Sequence, residues 1–453
     1  MHKHQNRRKF FATTALGAAG LTLPLARAAS QETRQAQKRP NVVLIMADDI
    51  GRECFGCYGS EQYKTPHLDR LARDGARFTH CHANPLCTPS RVKIMTGQSN
   101  IRNYHTFGIL QPGQTTFGNL FKQAGYRTAV VGKWQLYGAE HMGNMAGKGT
   151  HPTEAGFDEY CLWHFKSKKP RYWNPGFECN GKEMQIYEGK YGPDILCEYA
   201  TDFIERNKEQ PFLLYYPMVL THSPFPPTPH SKDPKSKNTQ KNFEDMVAYM
   251  DTIIGRITKK LEECGVRENT LLIFTGDNGS PRQIRSRLEG RTIQGGKSLS
   301  ISDGTRVPMI VNQPGTVKSG NVCGDLVDFS DVLPTITEAA GIPLPQDRVL
   351  DGRSFYPQLQ GKKGNPREAV FIYNNPRPLR ENYVAHQNPT HRFALDKRWK
   401  LYGNGRLYDM KNDVMEKNPI MPGEGNKEAQ AARKKLQAVI DSMPKEPQMI
   451  KKK

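Results

Sequence analysis

Cys87 heads the stretch Cys87-Thr88-Pro89-Ser90-Arg91. Pro89 fixes its own φ and biases Thr88 away from helical geometry, so a helix is expected to start near Ser90. That places the Cys87 sulfur beside a helix N-terminus, where backbone N–H groups and the helix dipole favour anions. Arg91 adds a fixed positive charge one turn further on. Such an arrangement suits a reactive group that meets an anionic substrate. The ordinary alternative for a lone thiol is a buried structural cysteine.

A second set of residues offers oxygen donors. Asp48 and Asp49 follow the apolar run Asn41 to Met46, and Asp277 and Asn278 follow the run Thr270 to Phe274. Four oxygen ligands carrying three negative charges suit a hard divalent cation, Ca²⁺ before Mg²⁺, and not a soft metal. Such an ion would hold a sulfate or phosphate oxygen and neutralise charge developing on it. Lys133, in Gly132-Lys133-Trp134, and Lys297, after Gly295-Gly296, are candidates for the anionic oxygens, since glycine lets backbone approach a ligand closely. His222 comes before Pro224 and could protonate a leaving alcohol, because its unperturbed pKa lies near neutrality. Cys54 and Cys57 form a lone CxxC with no second pair and no histidines at zinc spacing, so no zinc site is read from them.

The elements that must position these residues are legible as alternating strands and helices. Asn41 to Met46 is a continuous, β-branched apolar run, the pattern of a central strand buried on both faces. Further strands are expected at Thr128 to Val131, Phe212 to Tyr216, Thr270 to Phe274 and Val307 to Val311. Helices are expected near Thr65 to Gly75, after Thr116, over Ile195 to Asn207, over Phe243 to Cys264 and over Asp331 to Ala340. This alternation predicts an α/β fold with a large, mostly parallel central sheet flanked by helices. In such sheets ligands bind beyond the carboxyl ends of the strands. Asp48-Asp49, Lys133, His222 and Asp277-Asn278 all lie just past an expected strand, so one cleft should collect them. The texture changes after about residue 365. Short strands at Ala369 to Tyr373 and Trp399 to Tyr402, and an amphipathic helix over Lys427 to Met443, suggest a smaller C-terminal α+β subdomain. Segments 142–190 and 223–241, rich in Gly, Pro and Lys, read as surface insertions.

The chain has 453 residues, 36% hydrophobic and 24% charged, with a net charge of +20. It is long enough for a large core and too apolar for general disorder. Its basic excess favours anionic partners such as a sulfated or uronic-acid glycan. No nucleic-acid-binding motif is present, so nucleic acid is not an expected partner. Arg7-Arg8 precede the apolar run Phe10 to Leu25 and the small-x-small sequence Ala26-Arg27-Ala28. This reads as a twin-arginine signal that engages the twin-arginine export machinery and sends the protein to the periplasm or outside the cell. The run is too short and Gly-rich for a stable membrane anchor. The expected organisation is a signal peptide at 1–28, a linker at 29–39, a catalytic domain at 40–365 and a C-terminal subdomain at 366–453. Export would permit disulfides among the nine cysteines, without fixing their pairing.

The Cys-x-Pro-x-Arg spacing resembles the signature of the formylglycine-dependent sulfatase family of the alkaline-phosphatase superfamily. Further matching pieces are NVVLIMADD, Met95-Thr96-Gly97, Gly132-Lys133-Trp134, Gly156-Phe157-Asp158 and Thr221-His222. Thr275 to Gly279, Gly296-Lys297, Gly304 to Pro308, Asp331 to Thr335 and Leu407-Tyr408-Asp409 complete the set. The resemblance implies that a formylglycine-generating enzyme converts Cys87 to an aldehyde whose hydrate is the nucleophile, supported by Arg91. It implies that Asp48, Asp49, Asp277 and Asn278 bind calcium together with the Cys87 diol. Lys133, His222 and Lys297 would contact the sulfate and the leaving group. A hydrated aldehyde keeps a spare hydroxyl on the carbon that becomes sulfated, so sulfate leaves by C–O cleavage and no second attack at sulfur is needed.

Gln135 departs from the pattern, since the family places a histidine two residues after the lysine. Glutamine hydrogen-bonds but does not titrate. The reading is an exported sulfatase acting on sulfate esters, with a sulfated glycan as the expected substrate. Its rivals are a phosphodiesterase or phosphonate monoester hydrolase on the same scaffold and a non-catalytic polyanion-binding relative. The intact Cys87–Arg91 stretch argues against the last.

Overall fold

The computed structural model describes residues 39–375 and 391–448. The expected signal peptide and all but the last residue of the linker lie outside the described residues. The described residues from 40 onward form one compact unit.

The large sheet is built around β1 (Asn41–Ala47), every residue of which is buried. Ahead of the remaining core strands come β2 (Ala76–His82), β3 (Arg127–Lys133), β4 (Glu159–Trp163), β5 (Gly176–Cys179) and β6 (Gln185–Ile186). Then follow β7 (Phe212–Pro217), β8 (Thr270–Gly276), a separate hairpin of β9 (Arg285–Leu288) and β10 (Arg291–Gln294), β11 (Arg306–Val307), β12 (Met309–Asn312) and β13 (Asn321–Asp328). Within the sheet the strand order is β11-β2-β12-β8-β1-β7-β3-β4-β5-β6, with β13 also paired to β2. The run β8-β1-β7-β3-β4 is parallel throughout. β12 lies antiparallel to both β8 and β2.

Both faces of this sheet are covered, which is why its strands read as continuous apolar runs. Val43 and Ile45 of β1 pack with Leu68 and Leu71 of α1 (Pro66–Arg73). They share that face with residues of two helices that come later in the chain. Val42, Leu44 and Met46 face Val92 and Met95 of α2 (Cys87–Thr96) and Phe117 and Phe121 of α3 (Phe117–Gln123). The later helices over β1's first face are α4 (Gly192–Arg206), through Leu196 and Phe203, and α5 (Thr239–Glu263), through Met250 and Ile254. On the opposite face Val332 and Ile336 of α6 (Val332–Ala339) complete the layer. The mixed α/β architecture is the one expected.

Several boundaries differ from expectation. The strand expected over Val307 to Val311 is split into β11 and β12 by Pro308, which has no N–H for a ladder. The segment 142–190 is not all surface insertion: β4 is a buried strand of the main sheet. At the C-terminal end β14 (Val370–Asn374), β15 (His391–Leu395), β16 (Trp399–Tyr402) and β17 (Leu407–Asp409) form an antiparallel sheet. One face packs on α7 (Lys427–Asp441) through Ala429, Ala432, Leu436 and Ile440. This sheet reaches back toward the Cys87 loop, where Asn84 Nδ2 donates to the Tyr373 carbonyl at 2.8 Å. Among the described residues no helix is long and apolar enough to cross a membrane.

Candidate active site

The strand ends do converge. β1 lies between β7 and β8, with Ala47 opposite Gly276, so Asp48-Asp49 and Asp277-Asn278 leave the sheet side by side. The Asp277 N–H donates to the Ala47 carbonyl at 2.9 Å, and the Asp49 N–H to Asp277 Oδ1 at 3.0 Å. The loop after β7 is tied to the same place, since the Thr221 N–H donates to the Asp48 carbonyl at 2.7 Å. Cys87 is the first residue of α2, not a residue ahead of it as the Pro89 argument expected. Pro89 falls in the first helical turn, where a missing N–H removes no intrahelical bond.

Cys87 Sγ lies with carboxylate oxygens of Asp48 and Asp277 in a group whose atoms are all within 4.8 Å of one another, and Asp48, Asp49 and His222 form a second such group. Cations ring these acids. Arg91 Nη2 donates to Asp277 Oδ2 at 2.9 Å and stands 3.7 Å from Asp48 Oδ1. Lys133 Nζ donates to both Asp48 oxygens at 2.9 and 2.7 Å. Lys297 Nζ donates to Asp49 Oδ2. His222 Nδ1 donates to the Ser223 carbonyl at 2.7 Å, which leaves Nε2 facing Asp49 Oδ2 at 3.5 Å.

Burial sets the electrostatics. For Asp48 burial favours the neutral acid, but Lys133, His222 and Arg91 together outweigh it and hold the carboxyl well below its usual range. Asp49 is lowered in the same way, with His222 and Lys297 overcoming its burial. Asp277 goes the other way: burial first, then the neighbouring Asp48 charge, push it up to about 7. Burial also pushes the Cys87 thiol up and His222 down to about 4.

The donor set fits a hard cation. Asp48, Asp49, Asp277 and Asn278 are 0–1% exposed and supply only oxygen. Asn278 Nδ2 donates to Asp49 Oδ1 and to the Gly279 carbonyl, while its Oδ1 is buried with no partner. A buried acceptor left open beside three carboxylates is what a cation ligand looks like without its ion.

Residues 40–342 match the family profile described as Sulfatase. The chain belongs to the sulfatase family. Residues 296–445 also match the profile described as N-sulphoglucosamine sulphohydrolase, C-terminal. This sulfatase is 30% identical to arylsulfatase D of Homo sapiens over 431 residues, covering 74% of this chain and 71% of that protein. It is 31% identical to N-acetylgalactosamine-6-sulfatase of Rattus norvegicus over 385 residues, 77% of this chain and 71% of that one. Its fold is similar to that of BT4656 in complex with its substrate D-glucosamine-2-N,6-O-disulfate, with a TM-score of 0.72, 23% identity and coverage of 89% and 97% of the two chains. It is accordingly a sulfuric ester hydrolase.

The glycines beside the two lysines of this sulfatase have a different purpose from the one expected. A Cβ on Gly132, whose φ is +125°, would lie 2.1 Å from the Pro217 carbonyl oxygen. One on Gly296 would lie 2.3 Å from the Asp303 carbonyl carbon. Both glycines therefore let backbone approach backbone, not ligand.

Gln135 is buried, has a left-handed φ of 57°, and its N–H donates to the His164 carbonyl at 3.1 Å. His164 and Arg171 escaped the sequence reading altogether. Arg171 Nη1 lies 3.9 Å from Asp48 Oδ2, and its guanidinium stacks 3.8 Å from the Trp163 ring centroid. The signal was present: Glu159 to Trp163 is a short apolar run, and polar residues just past a strand end marked every other part of this cleft.

Proposed function

We propose that this sulfatase is an exported enzyme acting on sulfate esters of a carbohydrate, through a formylglycine made from Cys87 and a Ca²⁺ held by Asp48, Asp49, Asp277 and Asn278. The observation that carries this reading is the gathering of Cys87, Asp48 and Asp277 within 4.8 Å at the strand ends. The Cys87 sulfur stands for the oxygens of the aldehyde hydrate, which supplies the nucleophile and the spare hydroxyl that later releases sulfate. The cation, when bound, supplies charge neutralisation at a sulfate oxygen.

The chain's own residues then divide the work. Lys133 and Arg91 hold Asp48 ionised next to the Cys87 position, where it can take a proton from a hydroxyl on that carbon, while Asp277, raised to about 7, can hold or release one near neutral pH. Lys133 and Lys297, the latter one-fifth exposed, are placed to turn from Asp48 and Asp49 toward sulfate oxygens. His222 Nε2 is the free ring nitrogen beside Asp49. Once protonated it can donate to the departing alcohol oxygen, and a bound sulfate favours that protonation. Support for a carbohydrate comes from the net charge of +20 and from the disulfated glucosamine named for BT4656. Support for export comes from Arg7-Arg8 and the apolar run after them.

The test is co-expression with a formylglycine-generating enzyme, mass analysis of the Cys87 peptide and a screen of sulfated mono- and oligosaccharides, with an aryl phosphate diester as control. The peptide should lose about 18 Da as the free aldehyde and should no longer react with a thiol alkylating agent, which separates the nearly isobaric hydrate from unmodified Cys87. Active enzyme with an unmodified Cys87, or faster turnover of the phosphate diester than of any sulfate ester, would overturn the proposal.

A further inference from the structure

Beside the Lys133 end of the cleft, polar atoms are buried with nothing to bond. Arg171 Nη1, Gln135 Oε1 and both ring nitrogens of His164 have no hydrogen-bond partner, although the three residues are only 7% exposed. They belong to one wall. β3 and β4 run parallel with Lys133 opposite Trp163, so Gln135 and His164 leave the sheet together. The Trp163 indole touches both His164 and Arg171, with the His164 ring centroid at 4.9 Å and the Arg171 guanidinium at 3.8 Å. Native proteins rarely leave buried polar atoms unpaired, and several together point to an absent polar ligand.

Arg171 is not needed to balance Asp48. Both Asp48 oxygens already accept from Lys133, and Arg91 stands closer than Arg171 does. Arg91, Lys133, Arg171 and Lys297 set four fixed positive charges against the carboxylates of Asp48, Asp49 and Asp277. The monoanionic ester of the proposed reaction cancels the single excess positive charge, so the charge of a divalent cation, when bound, would leave room for a second anion. Stacking on Trp163 fixes the plane of the Arg171 guanidinium, whose edge suits bidentate contact with a carboxylate or sulfate. Burial and the nearby Lys133 charge hold His164 down to about 2, so it is a neutral donor and acceptor.

We propose that Arg171, with Gln135 and His164, forms a subsite for a second anionic group on the substrate, a carboxylate or further sulfate borne by the sugar that carries the scissile ester or by its neighbour. This rests on the sulfate-ester reading above and specifies its substrate as a polyanionic glycan. Arg171 supplies the charge, while Gln135 and His164 pair with the hydroxyls that flank such a group on a sugar ring.

The test compares mature wild type with Arg171→Gln and Arg171→Lys. Substrates are 4-nitrophenyl sulfate, a disulfated glucosamine with its monosulfated counterpart, and a sulfated disaccharide with and without a uronate carboxylate. Wild type should favour the member of a sugar pair with the extra anion, and the preferred pair tells sulfate from carboxylate. Arg171→Gln should cut that preference about 10- to 100-fold, mainly through KM, the size of one charge-assisted hydrogen bond. Arg171→Lys should restore part of it. Calorimetry of the same sugars on Cys87→Ala protein should show the same preference and the same loss. An equal fall on every substrate would mean that Arg171 acts only through Asp48, and no fall on any would mean that it meets no ligand; either result overturns the subsite. If wild type turns over no sulfate ester yet Cys87→Ala protein binds the polyanion through Arg171, the sulfate-ester reading fails and the subsite stands.

Discussion

Arg91 donates from Nη2 to Asp277 Oδ2 at 2.9 Å and from Nη1 to the carbonyl of Lys133 at 3.0 Å. One buried guanidinium thus joins the end of β8 to the end of β3 from a position one turn into α2. A lysine could make one of these bonds but lacks the planar fork for both. Arg91→Lys should lower kcat/KM by about 100-fold or more, comparable to losing an oriented transition-state donor. Arg91→Ala should in addition destabilise the protein by about 3–5 kcal/mol, because one partner of a buried ion pair is removed and Asp277 must take up a proton or stay buried without its counter-ion. Steady-state kinetics and thermal melts of both variants check this, and a wild-type rate in Arg91→Lys would remove Arg91 from the mechanism.

Cation binding has a signature that does not depend on turnover. An ion that binds only the folded chain stabilises it, by about 2.7 kcal/mol at a hundredfold excess over Kd. Chelated protein should therefore melt earlier and recover its Tm with Ca²⁺. Zn²⁺ should restore little, since the site offers four oxygens and no thiolate or ring nitrogen among its ligands. Asn278→Ala removes the unpartnered Oδ1 and should weaken the Ca²⁺ response without abolishing it. A melt unchanged by chelator, with full activity retained, would exclude a metal at these residues.

Gly132 holds Lys133 in place through backbone contact. Its φ of +125° and the 2.1 Å approach to the Pro217 oxygen leave no room for a side chain. Gly132→Ala must part β3 from β7 or twist the Lys133 peptide, at about 2–4 kcal/mol. Lys133 would then lose its bonds to Asp48, so activity should fall further than the melt alone accounts for. Equal activity per folded molecule in Gly132→Ala would show that the strand end tolerates the shift.

The reading from sequence succeeded where each face of an element had one job. β1 and β8 are buried on both faces, and their runs of apolar residues are unmistakable. The polar residues just past them then had to share a cleft, which is how Asp48, Asp49, Asp277 and Asn278 were found together. It failed where length or composition hid the burial. β4 has five residues between Gly- and Lys-rich stretches, and β2, with Arg77, Thr79, His80 and His82, looks too polar for a strand of the main sheet. Missing β4 meant missing His164 and Arg171, which its end positions. The start of α2 was misplaced because the bias of Pro89 on Thr88 is a local preference, and the packing of a wholly buried helix overrides it.

Two groups away from the cleft contribute to the pH dependence of stability in opposite senses. His80, near the end of β2, is pushed down to about 4, by burial first and then by the Arg306 charge. In the unfolded chain a histidine titrates near 6.5. Between those values the unfolded state binds a proton that the folded state refuses, so this group's stabilisation is present above about pH 6.5 and is lost as pH falls toward 4. Glu53 acts in the opposite sense. Burial raises it to about 7 against the hydrogen bond from Ser280 Oγ, so the folded state keeps a proton that the unfolded chain has shed, and its contribution is lost as pH rises through 7. His80→Gln should therefore narrow the Tm gap between pH 8.0 and pH 5.0 by roughly 1–3 °C, a shift of the size that a fraction of one protonation free energy produces in a large domain. Glu53→Gln should raise Tm more at pH 8 than at pH 5, with the amide oxygen still able to accept from Ser280. Melting curves of the three proteins at pH 5.0, 6.5 and 8.0 decide the matter. A gap that stays the same in His80→Gln would mean that His80 carries its proton in the folded state after all.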